Sequence, residues 1–104
     1  MEGIEAISFQ IISSVGTARS FYIEAIKCAK EGRFEEAYEK LKEGESLFNQ
    51  GHEAHRGLIQ KEASGEKTEF SLILMHAEDQ LMSAEGFRIL SEEFIEVYKR
   101  FENE

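Results

Sequence analysis

Apolar residues recur along the first third of the chain at alternating spacings of four and three. This period places them on one side of an α-helix, which we predict over residues 4–31. Gly32 follows the charged residues Lys30 and Glu31 and is typical of a helix C-terminus. The apolar stripe comprises Ile11, Val15, Ala18, Tyr22, Ala25 and Ala29.

A second stripe begins directly after Gly32 and is rich in small residues. It comprises Phe34, Ala37, Leu41, Gly44, Phe48, Gly51, His55 and Leu58. Because a glycine inside a helix costs about 1 kcal/mol of helix propensity, we expect a neighbouring helix to approach closely there. The helix is predicted to end near Ala63, where Ser64 and Gly65 begin a loop. Thr68 is the predicted N-cap of a third helix.

The third predicted helix, over residues 68–101, has two apolar stripes. The first comprises Phe70, Leu74, Ala77, Leu81, Ala84, Phe94, Tyr98 and Phe101, and the second comprises Leu72, Met75, Asp79, Met82, Gly86, Ile89 and Val97. One stripe can serve the core of the protomer, and a copy of the same chain is the simplest partner for the other. We therefore predict an all-α fold, an antiparallel three-helix up-down-up bundle that associates through its third helix.

Composition narrows the class of protein. The 104 residues fit one domain, residues 1–104, and contain no proline to interrupt long helices. A net charge of −9 argues against nucleic acid or an anionic membrane as the main partner, whereas a basic protein or simply a solvated surface would suit it. The acidic N-terminus and the short apolar runs predict a cytoplasmic protein without membrane insertion. Cys28, the single cysteine, excludes an intrachain disulfide and is expected to pack inside a helix.

Asp79 interrupts the second stripe of the third helix. A carboxylate buried on such a face must be hydrogen-bonded, protonated or bound to a metal. If three chains met there, three copies of Asp79 would converge, and a hard cation such as Mg²⁺ would relieve their repulsion. A local ion pair, for instance with Arg19, is the alternative, and the pattern leaves both open.

His76 lies three residues before Asp79, on the same side of the predicted helix. A neutral imidazole is a competent nucleophile toward phosphorus, although a lone histidine near an apolar face also suits a structural role. His52 and His55 are spaced as two zinc ligands on a helix could be, but no third ligand is evident. The sequence contains no Gly-x-x-x-x-Gly-Lys loop, so we expect no ATP site.

The segment His76-Ala77-Glu78-Asp79-Gln80-Leu81-Met82 resembles the active-site signature of the lactose/cellobiose enzyme IIA family of bacterial phosphotransferase systems, typically His-Ala-Gln-Asp-His-Leu-Met-Thr. Residues 18–20, 29–37 and 58–65 are similar as well, so the resemblance covers residues 4–101. It implies a homotrimer in which His76 accepts a phosphoryl group from the phosphocarrier HPr and passes it to a cysteine of enzyme IIB. It also implies one Mg²⁺ ion per trimer, bound by Asp79 of each chain. The imported sugar, whether lactose, cellobiose or diacetylchitobiose, stays open.

The chain departs from this family pattern at several positions. Gln80 replaces a common second histidine and can still hydrogen-bond a phosphoryl oxygen. Glu78 stands where the family commonly has glutamine. The segment Gly51-His52-Glu53-Ala54-His55-Arg56 stands where the family usually has Ala-His-x-x-Gln-Thr, and its arginine is a candidate for the positive charge missing at position 80.

Two other classes of protein compete with this interpretation. Histidine phosphotransfer domains of two-component signalling tend to have His-x-x-Lys-Gly, which neither His76 nor His55 begins. Residues 29–37 resemble a tetratricopeptide-like helical turn of an interaction module, but the turn does not repeat along the chain. Such a module would not require His76 or Asp79.

Overall fold

The computed structural model of the protein describes residues 3–102 and consists of three long helices. They are α1 (Ile4–Lys30), α2 (Phe34–Ala63) and α3 (Leu72–Glu102). Short connections make them antiparallel in the order up-down-up, and the bundle measures 56 × 22 × 19 Å. No strand occurs among residues 3–102, so the predicted all-α three-helix bundle is confirmed.

The core follows α1, which packs extensively against both other helices, whereas α2 and α3 share a smaller interface. All six residues of the predicted α1 stripe are buried, and Cys28 is buried beside them as expected. From α2 the core receives Ala37, Phe48 and Leu58. No helix in residues 3–102 is both long and apolar enough to cross a bilayer.

Two glycines of α2 allow α1 to approach closely, as the sequence predicts. A Cβ atom placed on Gly44 would lie 2.7 Å from Cε1 of Tyr22 and 3.2 Å from the carbonyl oxygen of Ala18. A Cβ atom on Gly51 would lie 2.5 Å from Cγ1 of Val15. These distances are shorter than van der Waals contact, so only glycine fits at this spacing of the two helices.

Helix α1 ends at a glycine in the left-handed conformation, as predicted. Gly32 has a φ of +82° and donates its N–H to the carbonyl of Ala29 at 3.0 Å. The N–H of Arg33 bonds to the carbonyl of Cys28 at 2.9 Å. These two bonds satisfy carbonyl groups that the end of the helix would otherwise leave unpaired.

The start of α3 differs from the prediction. Thr68 does not cap the helix, which begins at Leu72. Ser71 takes this role, because its Oγ accepts a hydrogen bond of 3.1 Å from the backbone N–H of Leu74. Leu74 is the first buried residue of α3 and lies three positions after Ser71, which makes Ser71 the hydroxyl in register for capping.

The first stripe of α3, which faces the core, also differs from the prediction toward its C-terminal end. Leu74, Ala77, Leu81 and Ala84 are buried as predicted, but Ser91 and Ile95 continue the buried line. The predicted aromatic members Phe70, Phe94 and Phe101 are 84%, 43% and 68% exposed, and Tyr98 is half-buried. Phe70 precedes the helix, and Phe94 lies about 100° around the helix from Ile95. Helical periodicity, not hydrophobicity, therefore decides which residues are inside.

Candidate functional site

The second stripe of α3 lies on a surface that residues 3–102 do not cover. We call this surface the outer face, and its apolar members are Leu72, Met75, Met82, Ile89 and Val97. Leu72 is 82% exposed and Met82 is 72% exposed, although both are large apolar residues. Several large apolar residues exposed along one side of a helix are typical of a site where another protein binds.

Asp79 lies in the middle of the outer face and is exposed. Its carboxylate forms no ion pair among the residues that the structure describes. The local ion pair with Arg19 is therefore wrong: Arg19 is half-buried and donates instead to Oγ of Ser83 at 3.2 Å. Ser83 lies one turn after Asp79, so the arginine extends from α1 to the edge of the outer face.

His76 opens the second turn of α3 and is exposed at the edge of the outer face. Its ring forms no hydrogen bond with residues 3–102, so neither nitrogen is engaged by another residue of this part of the chain. Gln80 follows one turn later on the same side of the helix and is half-buried. The structure therefore places His76, Asp79 and Gln80 on neighbouring lines of one accessible helix surface.

The two histidines of α2 are not arranged as a zinc site. His52 stacks on Phe48 with a ring-centroid distance of 6.0 Å, whereas the Nε2 atom of His55 lies 2.9 Å from Oε2 of Glu78 on α3. Within residues 3–102, no group of three histidine, cysteine, aspartate or glutamate side chains could hold a metal ion. Sequence reasoning missed the bond between His55 and Glu78, although it singled out both positions as departures from the family pattern.

Arg56, the candidate for the positive charge missing at position 80, is exposed on α2. Its guanidinium donates to Glu53, one turn earlier on α2, at 3.1 Å. The structure thus brings together the residues predicted on α3 and joins His55 to them through Glu78. It leaves Arg56 on the surface of α2.

Comparison with known proteins agrees with this architecture. A family model described as "PTS system, Lactose/Cellobiose specific IIA subunit", where PTS denotes the phosphotransferase system, matches residues 6–99. The oligo-β-mannoside-specific EIIA component of Bacillus subtilis (strain 168) is 43% identical over 95 residues, which cover 91% of this chain and 86% of that protein.

Solved structures agree as well. The cellobiose-specific enzyme IIA from Bacillus anthracis superimposes with a TM-score of 0.94 at 43% identity, covering 100% of this chain and 96% of that one. The chitobiose enzyme IIA in complex with HPr, from the N,N'-diacetylchitobiose branch of the Escherichia coli phosphotransferase system, superimposes with a TM-score of 0.77 at 31% identity, covering 98% and 99%. The chain therefore belongs to the lactose/cellobiose-specific enzyme IIA family, the sugar-specific components of phosphotransferase systems.

Proposed function

We propose that His76 is the phosphoryl carrier of this protein, accepting phosphate from phospho-HPr and passing it to a cysteine of enzyme IIB during sugar uptake. The observation that supports this role best is the exposure of His76. Its ring forms no hydrogen bond with the described residues and borders an apolar surface on which a partner can dock. Transfer between proteins requires that the acceptor nitrogen meet the donor phosphorus directly, and a buried ring would prevent this.

The proposed reaction consists of two in-line transfers. A ring nitrogen of neutral His76 attacks phosphorus, a new N–P bond forms, and the N–P bond of phospho-HPr breaks, so that the imidazole of HPr leaves with the electron pair. In the second step, the thiolate of enzyme IIB attacks the same phosphorus and the N–P bond to His76 breaks. In both steps the chain contributes positioning and the exclusion of water, and no nucleotide takes part.

Two features of α3 support the phosphorylated state. Gln80 lies one turn after His76, and its amide N–H can donate to a phosphoryl oxygen. His76 itself lies one turn from the start of α3, where unpaired backbone N–H groups give the helix a partial positive charge. The first turn of α3 contains no acidic residue, so nothing in that turn opposes a phosphoryl dianion.

HPr is the proposed donor because a relative at 31% identity was solved in complex with it. The net charge of −9 also suits a basic partner, since opposite charges accelerate encounter. The proposal places the protein in the cytoplasm, with HPr and enzyme IIB. The relatives are named for oligo-β-mannosides, lactose, cellobiose and diacetylchitobiose. We propose that the sugar is a disaccharide such as lactose, cellobiose or diacetylchitobiose.

We further propose a homotrimer assembled on the outer face, in which Asp79 of each chain binds one shared Mg²⁺ ion. The donor chemistry fits, because an exposed carboxylate without an ion partner in the described residues is a ligand that Mg²⁺ prefers. One carboxylate per chain is too few for a site, so the ion requires the other copies. Sedimentation equilibrium with Mg²⁺ and then with EDTA tests this: chelation should weaken association of the wild type, and Asp79→Asn should abolish the response. If neither EDTA nor Asp79→Asn changes the association, the proposal of a shared ion is wrong.

The direct test of the carrier role is labelling driven by phosphoenolpyruvate with purified enzyme I and HPr, followed by mass mapping. The expected product is an acid-labile phosphate on His76, which does not form when HPr is omitted or in His76→Ala. His55→Gln serves as the matched histidine control and should still be labelled. Phosphate on His52 or His55, or normal labelling of His76→Ala, would overturn the assignment.

A further inference from the structure

The interface between α2 and α3 is the smallest of the three helix interfaces. At the end where His76 lies, the chain between these two helices, residues 66–71, is not helical. A groove of about 210 Å³ opens there between the two helices, lined in part by Leu58, Leu74 and Glu78. Because this interface is small and a groove lies between the helices here, a hydrogen bond between α2 and α3 can help to hold the first turns of α3.

Three side-chain hydrogen bonds join α2 to α3 in the part of the chain that the structure describes. They are His55 to Glu78 at 2.9 Å, Arg88 to Glu45 at 3.4 Å and Lys99 to Tyr38 at 3.1 Å. Along α3 the last two lie about 15 Å and 30 Å beyond the first. Only the bond between His55 and Glu78 lies beside the groove, within a turn of the phosphoryl acceptor.

The chemistry of this bond favours a fixed geometry. A carboxylate only accepts hydrogen bonds, so Nε2 of His55 donates to Glu78. The side chain of His55 is 19% exposed and that of Glu78 is 48% exposed, so the bond is partly shielded from water. Glu78 lies two residues after His76 and therefore about 200° around the helix from it. The bond cannot contact the phosphoryl group, and any effect on transfer must pass through the backbone of α3.

We propose that His55 is a positioning residue for phosphoryl transfer: through Glu78 it fixes the rotation of the α3 turn that presents His76. This inference rests on the proposed carrier function. Displacement of a reacting atom by about 1 Å can cost up to about 100-fold in rate, so a small rotation of this turn matters.

The test measures single-turnover phosphoryl transfer to His76 at saturating phospho-HPr, together with the apparent affinity for phospho-HPr. His55→Ala and Glu78→Ala should each lower the saturated rate about tenfold without changing the affinity. The double variant should be no slower than either single variant, because the two residues act as one unit. His55→Gln, which retains an N–H donor for Glu78, should restore most of the rate.

Tyr38→Phe is the matched control, because it removes the distant hydrogen bond between the same two helices and should leave the rate unchanged. Backbone amide exchange at residues 76–79 gives a readout independent of transfer, and it should accelerate in His55→Ala but not in Tyr38→Phe. Equal rates for His55→Ala and wild type, equal losses in His55→Ala and Tyr38→Phe, or unchanged exchange in His55→Ala would overturn the inference. Wild-type protein that accepts no phosphate would instead refute the carrier function, and amide exchange would still decide whether the pair holds the turn.

Discussion

Two neighbouring residues of α3 mark the boundary between two very different regions. Leu81 is 8% exposed and belongs to the core around α1, whereas Met82 is 72% exposed and belongs to the outer face. Both regions are apolar, and both were predicted from the same helical periodicity. Burial differs because α1 and α2 pack on the inner side of α3, whereas nothing in the described part of the chain packs on its outer side.

The difference separates residues that maintain the fold from residues available for function. The core around α1 is closely packed, with glycines where two helices meet, and a core with such contacts tolerates little change. The outer face is exposed, so substitutions there should change the stability of the isolated chain little. It includes Asp79 and borders His76. If the proposed association forms, apolar residues there contribute to a complex, and their loss should be detected only when association is measured.

The largest expected effect comes from substituting alanine for Leu81 in the core and for Met82 on the outer face. Leu81→Ala should lower the free energy of unfolding by about 2–5 kcal/mol, because it leaves a cavity in the core. Met82→Ala should lower it only by weakening association, so its effect should vanish as the protein is diluted. Urea unfolding at several protein concentrations distinguishes the two. A concentration-independent loss of the same size for Met82→Ala would show that the outer face is part of the protomer's core.

The buried hydroxyl of Tyr22 gives the core a response to alkaline pH that the outer face lacks. Burial raises the pKa of Tyr22 from 10.0 to about 12. The folded state therefore keeps a proton that the unfolded state loses above pH 10, and stability should fall as pH rises between 10 and 12 by about 2 kcal/mol. In Tyr22→Phe this part of the loss should disappear.

Tyr22→Phe should also be nearly neutral at pH 7, because the Tyr22 hydroxyl has no hydrogen-bond partner among residues 3–102. Unfolding in urea at pH 7, 10 and 11.5 measures both effects. Parallel losses of stability in the variant and in the wild type would mean that lysine titration, not Tyr22, causes the alkaline response.

How far the sequence predicts this molecule depends on whether a feature is periodic. The α1 stripe, the terminating Gly32 and the exposed second stripe of α3 follow from spacing and backbone preference, and the structure confirms them. The prediction that Thr68 caps α3 is wrong because Thr68 and Ser71 both precede the helix, and only the folded helix decides which hydroxyl is in register. The prediction that Phe94 is buried is wrong because its position around the helix, and not its hydrophobicity, determines whether it faces the core.

In the candidate site, too, local features could be predicted from the sequence, and contacts between helices could not. His76, Asp79 and Gln80 could be grouped from the sequence because they lie within two turns of one helix. The bond between His55 and Glu78 joins residues 23 positions apart, and the partner of Arg19 lies 64 positions away. Such pairs depend on the register between helices, and no local pattern in one sequence specifies that register.

Helix spacing within the core can be tested with matched glycine substitutions. Gly44→Ala should lower the free energy of unfolding by about 1–2 kcal/mol, since a Cβ atom at this position collides with Tyr22 and the clash outweighs the gain in helix propensity. Gly57→Ala should raise stability by about 0.5–1 kcal/mol, because nothing lies within 4 Å of a Cβ atom there. Thermal unfolding of both variants at one protein concentration gives the sign directly. Stabilisation by Gly44→Ala would mean that α1 and α2 are not in close contact at this point.

The smallest expected effect lies where the two regions meet. Ser83→Ala removes the acceptor of the half-buried Arg19 and should cost about 1 kcal/mol, because the guanidinium can recover part of the bond from water. Ser20→Ala is the matched control, since its hydroxyl bonds only to the carbonyl of Gly16 in its own helix, at 3.3 Å; this change should cost nothing or stabilise slightly. Chemical denaturation of the two variants resolves the difference. An equal effect would mean that Arg19 is not held by Ser83, and its charge would then be available to Asp79, one turn earlier on α3.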